Sequence, residues 1–133
     1  MSALAIAQAY YRHFNEKNYP AMLDLVHPDI THHVNQGGVR VGKGLFAEFL
    51  QEMDDAYTEQ LTDMVFFSEP KDERVAVQFT VNGIYKKGDE GMPPAHGQSY
   101  VLPAGAFLEV TDGQVSKVTT YYNLPLWIHL VSQ

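Results

Sequence analysis

The sequence predicts an α+β domain spanning residues 1–133, with a curved antiparallel sheet wrapped around N-terminal helices into a cone with a central pocket. Three observations predict it. Apolar residues before Tyr57 recur at helical spacing in three separate stretches, whereas those after it alternate at the period of strands. The breaks between the later stretches read as turns or a single longer loop, which makes consecutive strands antiparallel neighbours. Helices gathered at one end of the chain and strands at the other pack as segregated layers, and a sheet of long strands twists and curves, leaving a concavity for the helices to close.

Each element follows in order. Ser2 reads as the N-cap of a first helix whose stripe Ala3, Ala7, Tyr10 and Phe14, flanked by Leu4 and Tyr11, ends near Asn15-Glu16. Asn18 caps a second, shorter helix with Pro20 in its first turn, Met22, Leu23, Leu25 and Val26 turned inward, and His27-Pro28 as its stop. Ile30 to Asn35 and Val39 to Val41 read as short strands joined by Gln36-Gly37-Gly38. Leu45, Phe46, Phe49, Leu50 and Met53 give a third amphipathic helix. Long strands follow over Tyr57 to Ser68, Arg74 to Tyr85, Ser99 to Val110 and Val115 to Asn123. In the second of these, Val75, Val77, Phe79 and Val81 alternate with Ala76, Gln78, Thr80 and Asn82, so one face is dry. Pro70-Lys71-Asp72 and Thr111-Asp112-Gly113 mark hairpins, and a loop rich in Gly and Pro runs from Lys87 to Gln98. Asn123 caps a terminal helical turn in which Leu124, Trp127, Ile128 and Val131 share a face.

Composition narrows the function. With no Cys, disulfides, thiolate metal sites and thiol nucleophiles are excluded. Sixteen acidic residues against nine Lys and Arg give a net charge of −7, which repels phosphate backbones and anionic lipid. Neither nucleic acid nor a membrane is expected as a partner. The N-terminus lacks a basic region before its apolar residues, and no apolar run approaches the roughly 18 residues of a membrane span, so a cytoplasmic protein is expected.

Several stretches carry a family resemblance: His32-His33-Val34-Asn35-Gln36-Gly37, Tyr57-Thr58-Glu59-Gln60-Leu61, Gly91 to Tyr100, Leu102-Pro103-Ala104-Gly105-Ala106-Phe107 and Tyr121-Tyr122-Asn123-Leu124. Over essentially its whole length the chain resembles the NTF2-like superfamily of nuclear transport factor 2, ketosteroid isomerase and the SnoaL-like polyketide cyclases, and within it the ketosteroid isomerase-related proteins. The resemblance implies the cone fold, a pocket for a small apolar or cyclic ligand, a homodimer and no cofactor. Ketosteroid isomerase chemistry needs a carboxylate base and an oxyanion hole of a Tyr and a protonated Asp. By position the Tyr falls on Tyr10, the base on Val34 and the oxyanion Asp on Ala106. Two of the three groups are therefore missing, and little steroid isomerase activity is expected. The Asp-Arg-Asp set of related epoxide hydrolases has no counterpart here, since Arg12, Arg40 and Arg74 lie in exposed or turn-adjacent segments. The His, Asp and Tyr of scytalone-dehydratase-like enzymes are matched only in His and Tyr.

With Val34 turned inward, the period of two puts His32 on the same face and His33 on the other. His32 is the candidate base, because an imidazole titrating near neutrality can take a proton from the carbon next to a carbonyl; a cone-lining packing role is the alternative. No HxH, HxxxH or HExxH spacing brings two imidazoles to one ion, so no metal site is expected. Tyr10 is the candidate oxyanion donor, with a core role as its alternative. Asn35 either orients a substrate carbonyl or satisfies the turn. His96, Gln98 and Tyr100 are read as ligand contacts from a lid or wall, against an ordered connection or dimer contact, with Gln98 also a possible enolate donor. Tyr57, Tyr100, Phe107, Tyr122 and Trp127 are read as apolar walls, and Tyr121 as an outward residue at a subunit contact. Glu59 reads as a strand Glu facing water, with a second acid or base as the alternative. The expected function is a small isomerase, cyclase or dehydratase acting by proton transfer on a cyclic or conjugated carbonyl compound, with a non-catalytic binding or scaffold protein as the alternative. The lack of an inward carboxylate favours that alternative, and the polar and aromatic groups expected to converge near the cone mouth favour the enzyme.

Overall fold

The side chain of Ser2 accepts a hydrogen bond from the backbone N–H of Ala5 and so starts α1 (Ala3–Asn15). The helix buries Ala3, Ile6, Ala7, Ala9, Tyr10 and Tyr11. The computed structural model describes all 133 residues. After α1 come α2 (Tyr19–Asp24), β1 (Val26–His33), β2 (Val39–Val41), α3 (Lys43–Ala56), β3 (Tyr57–Ser68), β4 (Arg74–Tyr85), β5 (Ser99–Thr111), β6 (Gln114–Tyr122) and α4 (Leu124–Val131). Asn18 and Asn123 cap α2 and α4 by accepting from the backbone N–H groups of Ala21 and Leu126. No helix is long and apolar enough to cross a membrane.

The strands form a curved six-stranded sheet in the order β2-β1-β6-β5-β4-β3. The hairpins read from the sequence hold. Asp112 and Gly113, with φ of 54° and 73°, supply the two left-handed residues of a tight β5–β6 turn. β1 and β6 run parallel, whereas the other neighbours are antiparallel. No hairpin joins these two strands, so turn signals in the sequence do not set their direction.

β1 runs from Val26 to His33 instead of from Ile30 to Asn35, and β3 carries a bulge. Val26 belongs to β1 instead of the second helix, because the N–H of Val115 on β6 donates to the carbonyl of Leu25 at 2.8 Å and pairing starts there. Pro28 then lies exposed in the irregular stretch between Val26 and Thr31, where the ladder asks no donor of it. In β3, Asp63 has φ 54° and sits where the register with β4 shifts between Thr62 and Val65. Before this bulge Tyr57 and Leu61 turn toward the core, and after it Met64 and Phe66 do, so the inward parity changes within one strand. Helices α1 and α3 pack against the inner side of the sheet, and the space they leave is the cone.

Candidate functional site

A cavity of about 220 Å³ opens inside the cone and is lined by 25 residues, of which 20 are hydrophobic. Tyr10 and Tyr11 enter from α1, His32 from β1, Phe46, Phe49 and Leu50 from α3, and Tyr57, Glu59 and Leu61 from β3. Tyr100, Leu102 and Ala104 line it from β5, Val118, Thr120 and Tyr122 from β6, and Trp127 from α4. Asn35 and Val34 border it from the turn after β1.

Glu59 does not face water as a solvent-side strand residue would. It shares its face with Tyr57 and Leu61, is half-buried, and lines the cavity. The hydroxyl of Tyr100 donates to Glu59 Oε2 at 2.6 Å. Register explains how the two meet: Glu59 on β3 pairs with Gly83 on β4, and Gly83 pairs with Tyr100 on β5. Partners two strands apart are separated by about 9.6 Å, two steps of ~4.8 Å, and the tyrosine spans that gap only because the middle residue has no side chain. A Cβ on Gly83 would stand 2.2 Å from Cζ of Tyr100 and 2.4 Å from its hydroxyl. Burial raises the pKa of the Glu59 carboxyl, against the opposing pull of the Tyr100 hydrogen bond and the Lys17 charge. The Lys17 ammonium donates to the backbone carbonyl of Glu59.

Tyr57, Tyr85, Tyr100 and Trp127 form an aromatic cluster around this pair. Tyr57 stacks on Tyr85 with centroids 5.6 Å apart, and Trp127 meets Tyr85 edge-on at 4.9 Å. Burial, with smaller contributions from neighbouring tyrosines and carboxylates, pushes the Tyr57 hydroxyl up to about 12.

His32 faces inward and is only 4% exposed, its ring packed edge-on against Phe49 and Phe46 at 4.4 and 5.2 Å. Its Nδ1 is sealed with no hydrogen-bond partner. Burial, helped by the Arg40 and His33 charges, lowers its pKa to about 4, so the ring is neutral at physiological pH. Such an imidazole is a weak base. His33 is half-buried and also borders the cavity, but no group of three or more His, Asp and Glu side chains is placed to hold a metal ion. Tyr10 is buried, its hydroxyl has no partner within the protein, and burial raises its pKa.

Three expected contacts lie elsewhere. Phe107 is 58% exposed on the outer face of the sheet, beside Tyr121 at 6.0 Å, because Ala106 and Leu108 take the inward phase of β5. His96 is exposed and outside the lining. Gln98 is committed to structure: its Nε2 donates to the carbonyls of Pro94 and Val131, and its Oε1 accepts from the N–H of His96. The Gly/Pro-rich loop reaches the cavity through Met92 instead. Asn35 borders the cavity, and its Oδ1 accepts from the N–H of Tyr122 at 2.9 Å, which ties the turn after β1 to the end of β6 instead of closing a bond within the turn. Glu59 was detectable in sequence from its phase, since Tyr57 and Leu61 flank it at a spacing of two.

A family model described as the SnoaL-like domain matches residues 7–118. The chain belongs to that family. Relatives of known structure include a protein of Pseudomonas putida KT2440, 44% identical over 98% of each chain with a TM-score of 0.96. Another, from Xanthomonas campestris pv. campestris, is 47% identical, with 97% of this chain and 96% of that one covered and a TM-score of 0.93. Both carry polyketide cyclase as a provisional name. TerC, crystallised with polyporic acid, shares the fold at 17% identity, with 98% of each chain covered and a TM-score of 0.80. No curated protein matches the sequence. Structures of NTF2-like proteins also superimpose on this SnoaL-like chain, and the NTF2-like cone fold is established.

Proposed function

We propose that this SnoaL-like protein is a small enzyme that moves a proton on a cyclic or conjugated carbonyl compound, as an isomerase, cyclase or dehydratase. The observation that carries the reading is the Glu59 carboxylate inside an apolar cavity, held by the Tyr100 hydroxyl and with its pKa raised by burial. A carboxylate with a raised pKa is a stronger base than one in water, which is the property needed to remove a proton next to a carbonyl. The base is therefore Glu59, and His32 takes a different role.

In the proposed step Glu59 takes a proton from the carbon next to the carbonyl, and the electron pair of that C–H bond moves onto the carbonyl oxygen as an enolate. A neutral imidazole carries one proton. An orphaned N–H is costlier to bury than an orphaned acceptor, which favours placing that proton on Nε2 and leaving the sealed Nδ1 bare. His32 Nε2–H and the Tyr10 hydroxyl then donate to the developing oxyanion. Isomerisation ends with the proton returned from Glu59 to another carbon of the conjugated system. Cyclisation ends with the enolate carbon bonding to a second carbonyl carbon, whose oxygen takes the π electron pair and then the proton back from Glu59. Dehydration ends with the enolate electrons re-forming the carbonyl and expelling a hydroxyl from the next carbon as water, protonated by Glu59. The provisional cyclase name of relatives at 44% and 47% identity supports this class of reaction.

The test is exchange of the α-hydrogens of small cyclic ketones for deuterium in D₂O, followed by NMR. The wild type accelerates exchange for at least one ketone, and Glu59→Gln loses about 10²-fold or more of that acceleration. Exchange no faster than buffer across the panel, or full activity in Glu59→Gln, overturns the reading. The proposal includes a homodimer through the outer sheet face, supported by the exposed Val65, Phe67, Val101, Phe107 and Tyr121.

A further inference from the structure

We infer that the ligand of this cavity is an uncharged, flat molecule of one or two rings, and that Glu59 excludes anionic compounds of the same size. The inference rests on the proton-transfer reading of the site and adds its substrate class.

Size comes first. The cavity holds about 220 Å³. An apolar cavity of about 150 Å³ takes up benzene, and pockets for drug-sized molecules begin near 300 Å³. A single substituted ring or a fused pair fits between those limits, and a four-ring skeleton does not. Flatness follows from the lining. His32, Phe46 and Phe49 form one aromatic group, with ring centroids 4.4 to 6.5 Å apart, and Tyr57, Tyr100 and Trp127 a second, at 6.0 to 6.4 Å. Aromatic faces and edges favour unsaturated rings over bulky saturated ones.

Charge is decided by what surrounds the carboxylate. None of the 25 lining residues is Lys or Arg. Of the nearby cations, Lys17 is engaged with the Glu59 carbonyl, and Arg40 lies over the Phe49 ring at 5.2 Å with its guanidinium 3.6 Å from Glu52. An anion entering the cavity would meet the Glu59 charge with no cation on the lining to pair with, because Lys17, whose charge draws the Glu59 pKa down, lies outside it. At ~6 Å and an effective dielectric of ~20, that repulsion alone weakens binding by about 100-fold. Neutral oxygens, by contrast, find the hydroxyls of Tyr10 and Tyr122 and the side-chain amide of Asn35 on the lining.

The experiment is calorimetric titration of wild type and Glu59→Gln with three phenolic probes: 2-naphthol, 6-hydroxy-2-naphthoate and the four-ring 17β-estradiol. Wild type binds 2-naphthol at least tenfold more tightly than either other probe. In Glu59→Gln the gap between 2-naphthol and the naphthoate narrows by tenfold or more, while estradiol stays weak. Tight estradiol binding overturns the size limit, an unchanged gap overturns charge exclusion by Glu59, and no binding of 2-naphthol overturns the inference as a whole. None of these readings depends on turnover. Failure of the ligand class and failure of α-hydrogen exchange are therefore separate results: selective 2-naphthol binding without exchange retains the ligand class and removes the enzyme reading.

Discussion

Replacing Gly83 by alanine places a methyl group where the Tyr100 ring now lies. The added Cβ would sit 2.2 Å from Cζ of Tyr100, against an ordinary carbon–carbon contact of about 3.5 Å, so about 1.3 Å of movement is required. The neighbour that must give is a ring packed edge-on against Trp127 at 6.0 Å and Tyr57 at 6.4 Å, with its hydroxyl fixed to Glu59. Overpacking of this kind costs about 1–3 kcal/mol. Should the ring swing away from Glu59, loss of a hydrogen bond to a charged group adds about 1.5–3 kcal/mol. A chain of 133 residues loses about 3–5 °C of Tm per kcal/mol, so Gly83→Ala lowers Tm by at least about 3 °C. The assay is thermal and urea unfolding of Gly83→Ala, Tyr100→Ala and the double variant. With the ring removed the methyl group has room, and the same Gly83→Ala change costs less than about 0.5 kcal/mol. A wild-type Tm for Gly83→Ala, or an equal cost with and without the Tyr100 ring, would refute the proposed reach of Tyr100 across β4.

Other consequences are independent of that one. His32 has its folded pKa depressed from 6.5 to about 4, so the unfolded chain binds more protons in that interval, and the stability that neutral His32 provides above pH 6.5 is lost as pH falls toward 4. His32→Phe, tested by urea unfolding at pH 4.5 and 7, shows a smaller acid loss, by up to about 3 kcal/mol; an unchanged pH slope counts against a buried neutral imidazole. Gln98→Ala removes three hydrogen bonds, two within the loop and one that ties it to Val131 of α4, and destabilises by about 1–3 kcal/mol, whereas the exposed His96→Ala changes neither Tm nor ligand affinity. Sedimentation shows a dimer at micromolar concentration that Phe107→Lys dissociates; a wild-type monomer would count against pairing through the outer face.

Much of this fold was legible because its determinants are local. Ser2, Asn18 and Asn123 cap helices as their types suggest, Asp112-Gly113 makes its turn, and alternation in β4 marks its dry face. What escaped was non-local or depended on a shift of phase. The parallel β1–β6 pairing leaves no turn in the sequence, and the Asp63 bulge changes the inward parity of β3 midway. Phe107 was placed inside on residue type, although Leu102, Ala106 and Leu108 carry the inward phase of β5. Glu59 was placed outside on the rule that strand carboxylates face water, although its own phase put it between Tyr57 and Leu61. That rule gives way here because Gly83 lets Tyr100 supply a hydrogen bond from two strands away. His32 was given the base role from the pKa of a free imidazole, and burial between Phe46 and Phe49 removes that basicity.

The proposed site requires Glu59 to be an inward carboxylate with a raised pKa. The direct measurement is a ¹³C NMR titration of the glutamate carboxyls, with Glu59 assigned by its absence in Glu59→Gln and Tyr100→Phe titrated alongside. A folded pKa raised above the unfolded value means that ionised Glu59 costs stability at neutral pH and that the cost disappears as pH falls through its midpoint. The expected Glu59 midpoint lies above the ordinary 4.5, and higher still in Tyr100→Phe, where the hydrogen bond that favours the charged form is gone. A midpoint at or below 4.5, unmoved by Tyr100→Phe, would mean that the carboxylate is solvated and unpaired, and would contradict the proposed site.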